Sequence, residues 1–204
     1  MNRFKTFTGG VFDTNCFYYQ APAGGILFDA PQGADSAFAG ERVDLLVLTH
    51  GHFDHVADAA AIIKRHGCKT AMHPDTAPMV SDREFFRRWG FELEIDPFTA
   101  DFLLDENGPT ELLGAPVRIY HVPGHCPGSL CFHLLDENVI IGGDVLFRGG
   151  VGRWDLPGGD RDLLLEGIRR KLLPLKDAAI TVLPGHGPAT TIGWERRENP
   201  FLAN

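Results

Sequence analysis

One stretch constrains the fold more than any other: Leu45-Leu46-Val47-Leu48-Thr49-His50-Gly51-His52-Phe53-Asp54-His55. A short apolar run ends abruptly in three histidines and an aspartate. Such a run, bounded by polar residues, reads as a buried strand. Open α/β layers place their ligands beyond the carboxyl ends of strands of this kind. Three imidazoles and a carboxylate within the six positions 50–55 are costly to desolvate unless something positive sits among them. A divalent transition metal meets that need, because imidazole and carboxylate suit zinc, iron and manganese.

A chain of 204 residues is long enough to bury one substantial core. Its 44% hydrophobic and 23% charged content is that of an ordinary globular protein. The formal charge of −8 argues against a surface that tracks nucleic-acid phosphates. Met1-Asn2-Arg3-Phe4-Lys5 opens no apolar leader, and no run approaches the roughly 20 apolar residues of a membrane span. Cys16, Cys68, Cys126 and Cys131 form no Cys-x-x-Cys pair, so free thiols in a reducing compartment are expected. The expected location is the cytoplasm.

Along the chain, residues 3–8 and 14–20 read as strands around Gly9-Gly10, and 25–29 as a third strand closing in Asp29. Residues 35–41 form a short helix and 43–48 the strand that feeds the histidines. A helix from Asp54 or His55 through Val56, Ala59, Ile62 and Ile63 follows and stops at Gly67. Lys69–His73 is the next strand. Ser81 looks like the cap of a helix over 82–89, with an acid in its first turn. Met79, Phe85, Phe86, Trp89 and Phe91 suggest that segment 75–100 packs on the body of the protein, with a substrate or partner surface as the alternative. A short strand is expected near 101–104. Strands are expected again over 111–113, 116–122, 129–135 and 137–142. A helix over 160–172 with Leu163, Leu164, Ile168 and Leu172 inward comes next, then a last strand over 179–183 and a helical tail over 194–198. Two mixed sheets with helices outside them, an α/β (α+β) sandwich, fit this order.

Three more candidates terminate expected strands: His125 in Val122-Pro123-Gly124-His125, Asp144 in Gly142-Gly143-Asp144, and His186 in Pro184-Gly185-His186-Gly187. Each alone is weak. Together with His50, His52, Asp54 and His55 they supply five histidines and two aspartates, enough for two metals that share a carboxylate.

That series resembles the metallo-β-lactamase superfamily over essentially the whole chain. The flanking text is similar to its glyoxalase II-like (hydroxyacylglutathione hydrolase-like) branch: Val122–Ser129, Gly143–Phe147, Gly152-Arg153-x-Asp155, Thr190-Thr191-Ile192 and Asn199-Pro200-Phe201. The resemblance implies a four-layer αβ/βα sandwich filling residues 1–204 as a single domain. It implies one metal at His50, His52 and His125, a second at Asp54, His55 and His186, and Asp144 bridging them. The metals are two divalent ions, zinc in first place, with iron or manganese as alternatives. A metal-bridged hydroxide, oriented by Asp54, would attack a thioester or ester carbonyl, as in S-lactoylglutathione or another acylglutathione. Asp29 resembles the family's acid that fixes ligand imidazoles; a turn aspartate before Ala30-Pro31 is the alternative. Cys126, beside His125, is discounted as a nucleophile.

The chain also departs from full-length glyoxalase II. It stops at Asn204, so the added helical domain that contacts glutathione is expected to be missing. Arg153-Trp154-Asp155 stands where that enzyme has a Lys and a Tyr. Arg153 can substitute electrostatically as a substrate contact, whereas Asp155 cannot mimic a Tyr ring. Residues 147–160 look more like the compact single-domain proteins of the branch. Trp154 differs even from these, where Ser or Thr is usual; it either narrows the pocket mouth or covers the core. The competing readings are a persulfide dioxygenase with a single iron at His50, His125 and Asp144, a lactonase, and a non-enzymatic binding module. The partner implied is a small molecule; the oligomeric state is not legible.

Overall fold

The computed structural model describes residues 3–92 and 94–202. Met1, Asn2, Leu93, Ala203 and Asn204 lie outside the described residues, and with them part of the N-terminal reading and the chain end.

The first half begins with strands β1 (Phe4–Gly9), β2 (Thr14–Ala21) and β3 (Gly24–Phe28), then helix α1 (Ala34–Ala37) and β4 (Leu45–Val47). Helices α2 (Phe53–Val56) and α3 (Ala59–His66) lead to β5 (Lys69–Met72). Helices α4 (Ala77–Ser81) and α5 (Phe85–Arg88) precede β6 (Phe102–Leu103). The second half opens with β7 (Glu111–Leu112), β8 (Ala115–His121), β9 (Leu130–Leu134) and β10 (Val139–Gly143). A small hairpin of β11 (Leu146–Phe147) and β12 (Gly150–Val151) follows. Then come α6 (Arg161–Gly167), β13 (Thr181–Pro184), β14 (Thr190–Thr191) and α7 (Ile192–Glu198).

The strands build two six-stranded sheets, in the order β1-β2-β3-β4-β5-β6 and β14-β13-β10-β9-β8-β7. Both are mixed. The hairpins β1-β2-β3 and β8-β9-β10 are antiparallel, whereas β3-β4-β5-β6 and β10-β13 are parallel. Helical crossovers that return to parallel strands must lie on the sheet faces.

Three apolar clusters follow from that arrangement. Between the sheets, Phe17, Phe28, Val47, Ile119 and Phe132 interleave. Outside the first sheet, Leu46, Leu48, Ile62, Met72 and Phe86 seat the α1–α5 side. Outside the second, Val122, Ile140, Leu164, Ile168 and Ile192 seat α6 and α7. Helix, sheet, sheet and helix thus make the four-layer sandwich. Each fully buried Leu or Phe stabilises it by about 1.5–3 kcal/mol.

Several elements differ from the sequence reading. The helix expected from residue 54 onward is broken at Ala57-Asp58, because the Asp58 carboxylate turns back to accept the Gly33 and Asp35 N–H groups. Ser81 ends α4 rather than capping the next helix, and Asp82 accepts from the Glu84 N–H instead. The expected helix over 160–172 starts with Asp160 capping the Leu163 N–H, then widens into a π turn over Ile168–Leu172. Leu163, expected to face inward, is 45% exposed. The strands β11, β12 and β14 escaped the reading, each being only two residues long.

Candidate metal centre

All seven histidine and aspartate candidates meet at one end of the sandwich, where parallel strands of both sheets finish. The β3–β4 register (Phe28 beside Val47) puts Asp29 next to Thr49, and the turn after β4 delivers His50, His52, Asp54 and His55. From the second sheet, Asp144 leaves β10 and His186 leaves β13, whose parallel register pairs Gly143 with Pro184. The loop after β8 brings His125.

The donor atoms fall into three overlapping groups: His50, His52 and His125; His50, His55 and Asp144; and Asp54, His55 and His186. Within each group the donors lie within 4.8 Å of one another. His50 and His55 each belong to two of these groups, and the Asp144 oxygens reach rings in all three: 3.3 Å from His55 Nε2, 3.5 Å from His125 Nε2 and 3.3 Å from His186 Nε2. His125 Nε2 and His50 Nε2 approach to 3.3 Å. Gly185 has to be a glycine here, since a Cβ would collide with Asp144 Oδ1 and His55 Cε1.

Four of the imidazoles are held by their Nδ1 atoms, which leaves Nε2 facing the cluster. His55 Nδ1 donates to Asp29 Oδ2 at 2.8 Å. His50 Nδ1 donates to Thr49 Oγ1 at 3.1 Å, and that hydroxyl donates on to Asp29 Oδ2 at 2.7 Å. The remaining Asp29 oxygen accepts the Thr49 N–H at 2.8 Å. Asp29 is therefore built into the site. Its φ of 62° is a left-handed conformation that Asp tolerates better than most residues. The other two anchors are main chain: His125 Nδ1 donates to Arg153 O at 2.7 Å, and His186 Nδ1 to Phe12 O at 2.9 Å. Outer hydrogen bonds of this sort fix ring orientation in metal centres.

Burial and charge pull these groups in opposite directions. Burial pushes His50 well below the ordinary imidazole value, and the neighbouring His55, His52 and His125 push it further. Burial likewise takes His52 down to about 3 and lowers His125. Burial would also lower His55, but the Asp144, Asp54 and Asp29 carboxylates outweigh it and hold the ring well above its usual value. His186, despite burial, rises to about 10 against Asp144 and Asp54. Burial would raise both aspartates, yet His55 and His186 bring Asp54 to about 2 and Asp144 well below the carboxylate range. Dense lone pairs and negative charge, compensated only by histidine protons, are what a cation would replace. His52 Nε2, His55 Nε2 and Asp144 Oδ1 are buried without hydrogen-bond partners, so the residues present fit a bound metal.

Several contributors carried no signal in the sequence. Thr14 Oγ1 donates to Asp54 Oδ2 at 2.8 Å and fixes that carboxylate. Asn15 ties β2 to the His186 loop by donating to Pro184 O and Gly187 O. A further cluster, His73, Asp75 and His121, lies elsewhere. Its two rings are stacked at 4.1 Å, with His73 Nδ1 accepting the Asp75 N–H and His121 Nε2 donating to Pro127 O.

A cavity of about 460 Å³ opens over the cluster. Arg153 lines it, but its guanidinium is paired with Asp155 through contacts of 2.7 and 2.9 Å. Trp154 turns away from the cavity, under Arg161 and against Phe201, and packs on the second sheet's outer core. Segment 75–100 does both things the sequence allowed: Met79 and Phe86 are buried in the core, while Phe86, Trp89 and Phe91 also wall the cavity.

Two facing mixed sheets thus carry, where their parallel strands end, a histidine–aspartate cluster suited to a divalent metal. The chain belongs to the metallo-beta-lactamase superfamily, whose pattern matches residues 9–186. It is 42% identical over 169 residues to the hydroxyacylglutathione hydrolase GloC of Haemophilus influenzae, covering 79% of each chain. Its fold is similar to the crystal structure of the BLEG-1 B3 metallo-beta-lactamase, with a TM-score of 0.89 and 32% identity over 98% of this chain and 100% of that one. It is also similar to TTHA1623 in a di-iron-bound form, with a TM-score of 0.86 and 34% identity over 97% and 100%. No helix among the described residues is long and apolar enough to cross a membrane.

Proposed function

We propose that residues 1–204 act as one domain that hydrolyses a small thioester or ester with two divalent cations, zinc in the first instance. The acylglutathiones named for the Haemophilus relative belong to that substrate class. His50, His52 and His125 would hold one cation, and Asp54, His55 and His186 the other. One observation carries the reading: the Asp144 carboxylate faces rings of both histidine groups, with Oδ1 3.3 Å from His55 Nε2 and Oδ2 3.5 Å from His125 Nε2 and 3.3 Å from His186 Nε2.

Bound there, the cations supply Lewis acidity to a carbonyl oxygen and acidify water. The chain supplies the rest. Asp54, fixed by Thr14, is positioned to accept a hydrogen bond from the attacking water and so aim it. Asp29, acting on His55 directly and on His50 through Thr49, and the two main-chain carbonyls keep four of the imidazoles in the tautomer that presents Nε2. No side-chain nucleophile is needed. The Cys126 thiol is buried beside Met79, and burial raises its pKa.

The test is metal analysis of the purified protein together with an S-lactoylglutathione, lactone and glutathione persulfide panel. The reading expects two metals per chain and thioester or ester cleavage. Oxygen-dependent sulfite release from the persulfide, or lactone opening alone, would replace it. Asp144→Ala should lower metal content; unchanged content would remove its bridging role. Asp54→Asn should lose turnover while retaining most of the metal.

A further inference from the structure

The cavity over the cluster has a wall that the proposed chemistry does not use. Phe12, Phe53, Phe86, Trp89, Phe91 and Phe147 all line it. Four of the six form a connected row of rings. Phe12 meets Phe53 edge-on with centroids 5.6 Å apart, Phe53 meets Phe86 at 6.2 Å, and Phe86 meets Trp89 at 6.0 Å. Trp89 reaches His52 at 6.4 Å, and on the other side Phe147 reaches His186 at 6.1 Å. The aromatic wall therefore begins at the donor cluster itself and runs outward from it.

Charge on that wall is scarce. Arg153 is the only lysine or arginine lining the cavity among the described residues, and the Asp155 carboxylate already takes its Nε and one Nη2 donor and offsets its charge. A glutathionyl arm carries two carboxylates and an ammonium group. Seating them against six aromatic rings would desolvate charge without partners, which is strongly unfavourable. An aryl or branched-alkyl arm of about the same length instead gains from burial and from edge-to-face ring contacts.

Resting on the hydrolase reading above, we propose that this aromatic wall selects thioesters whose acyl group is apolar and bulky, of the arylacetyl type, over acylglutathiones. The carbonyl sits at the cluster and the acyl arm runs along Phe53 and Trp89, with the buried Phe86 ring behind them. Hydrolysis adds water across the C–S bond: oxygen goes to the acyl carbon, a proton goes to the leaving thiolate, and no redox partner is consumed.

The experiment varies the acyl group on one thiol, and then the thiol under one acyl group. Phenylacetyl, acetyl and lactoyl thioesters of N-acetylcysteamine are compared with S-lactoylglutathione on the metal-loaded protein. The phenylacetyl ester should exceed the acetyl ester in kcat/KM by at least tenfold and should also exceed S-lactoylglutathione. In Trp89→Ala the phenylacetyl-to-acetyl ratio should fall at least fivefold. A binding arm uses phenylacetate and S-methylglutathione, followed by tryptophan emission and repeated in Trp89→Phe. Phenylacetate should quench at the lower concentration in the wild type, and the quench should shrink in the variant.

Preference for S-lactoylglutathione, or tighter S-methylglutathione than phenylacetate binding, overturns the proposal while leaving the hydrolase reading intact. Loss of all thioester cleavage alongside persulfide oxidation overturns the hydrolase reading, and the binding arm still decides what the wall selects.

Discussion

Replacing Asp29 by asparagine isolates one carboxylate's contribution to the whole cluster. Asp29 is 2% exposed and accepts three hydrogen bonds: Thr49 N–H on Oδ1, and Thr49 Oγ1–H and His55 Nδ1–H on Oδ2. Asparagine tolerates the same left-handed backbone, so the φ of 62° adds no confounding strain. The amide has one accepting oxygen. Placed at Oδ2 it turns its NH2 toward the Thr49 N–H; placed at Oδ1 it turns that NH2 toward His55 and the Thr49 hydroxyl. One or two buried donors are stranded either way. A hydrogen bond to a charged group contributes about 1.5–3 kcal/mol. Loss of one or two therefore predicts about 2–5 kcal/mol lower stability for metal-free Asp29→Asn in urea denaturation. With His55 and the Thr49–His50 link both loosened, metal affinity should drop about 10- to 100-fold in competition with a chromophoric chelator. A variant within about 0.5 kcal/mol of wild type, with affinity unchanged, would refute the claim that Asp29 organises the imidazoles.

Gly185→Ala should lower metal content without unfolding the chain, because its Cβ would displace Asp144 and His55; metal per chain and far-ultraviolet circular dichroism read the two effects. Glu195 is fully buried and accepts from Thr190 Oγ1, Asn199 Nδ2 and the Gly149 N–H, so Glu195→Gln should cost about 1–3 kcal/mol in urea denaturation. Stability should also fall in alkali. Burial pushes the Cys131 thiol up to about 12 and Cys68 to about 11, and raises Cys16 strongly. Unfolded thiols titrate near about 8.5, so above that pH the unfolded chain releases protons that the folded chain retains. The thiol contribution is intact below about pH 8.5 and is lost as pH rises, by up to about 1.4 kcal/mol per pH unit for each group. An unchanged urea midpoint between pH 8 and pH 10 would contradict this.

The sequence exposed the sandwich and the strand-end histidines and aspartates because their signals are local. A short apolar run followed by His-x-His-x-Asp-His declares both a strand and what lies beyond it. Gly67 ends α3 with φ 62°, as its position after Ile62 and Ile63 suggested. Elements settled by tertiary contact were harder to read. Asp58 breaks the α2–α3 run only because Gly33 and Asp35, some two dozen residues earlier, present N–H groups to it. At α4 a local signal is present in the sequence but was not used: Pro78 lies in the first turn, where proline favours a helix start. Thr14 was invisible because an ordinary strand threonine acquires its role only when Asp54 folds against it. The aromatic wall was legible as composition in residues 85–91, but its second half comes from Phe12, Phe53 and Phe147, which only the fold brings alongside.

Two of the imidazoles rest on main-chain carbonyls rather than on side chains, at Arg153 and Phe12. A carbonyl persists whatever residue carries it. Positions 12 and 153 both line the cavity, so their side chains are free to change with the molecule being bound while their backbones keep hold of His125 and His186. The fold thus uncouples the inheritance of its reaction from the inheritance of its diet: drift at these two sites alters what enters without dismantling what reacts.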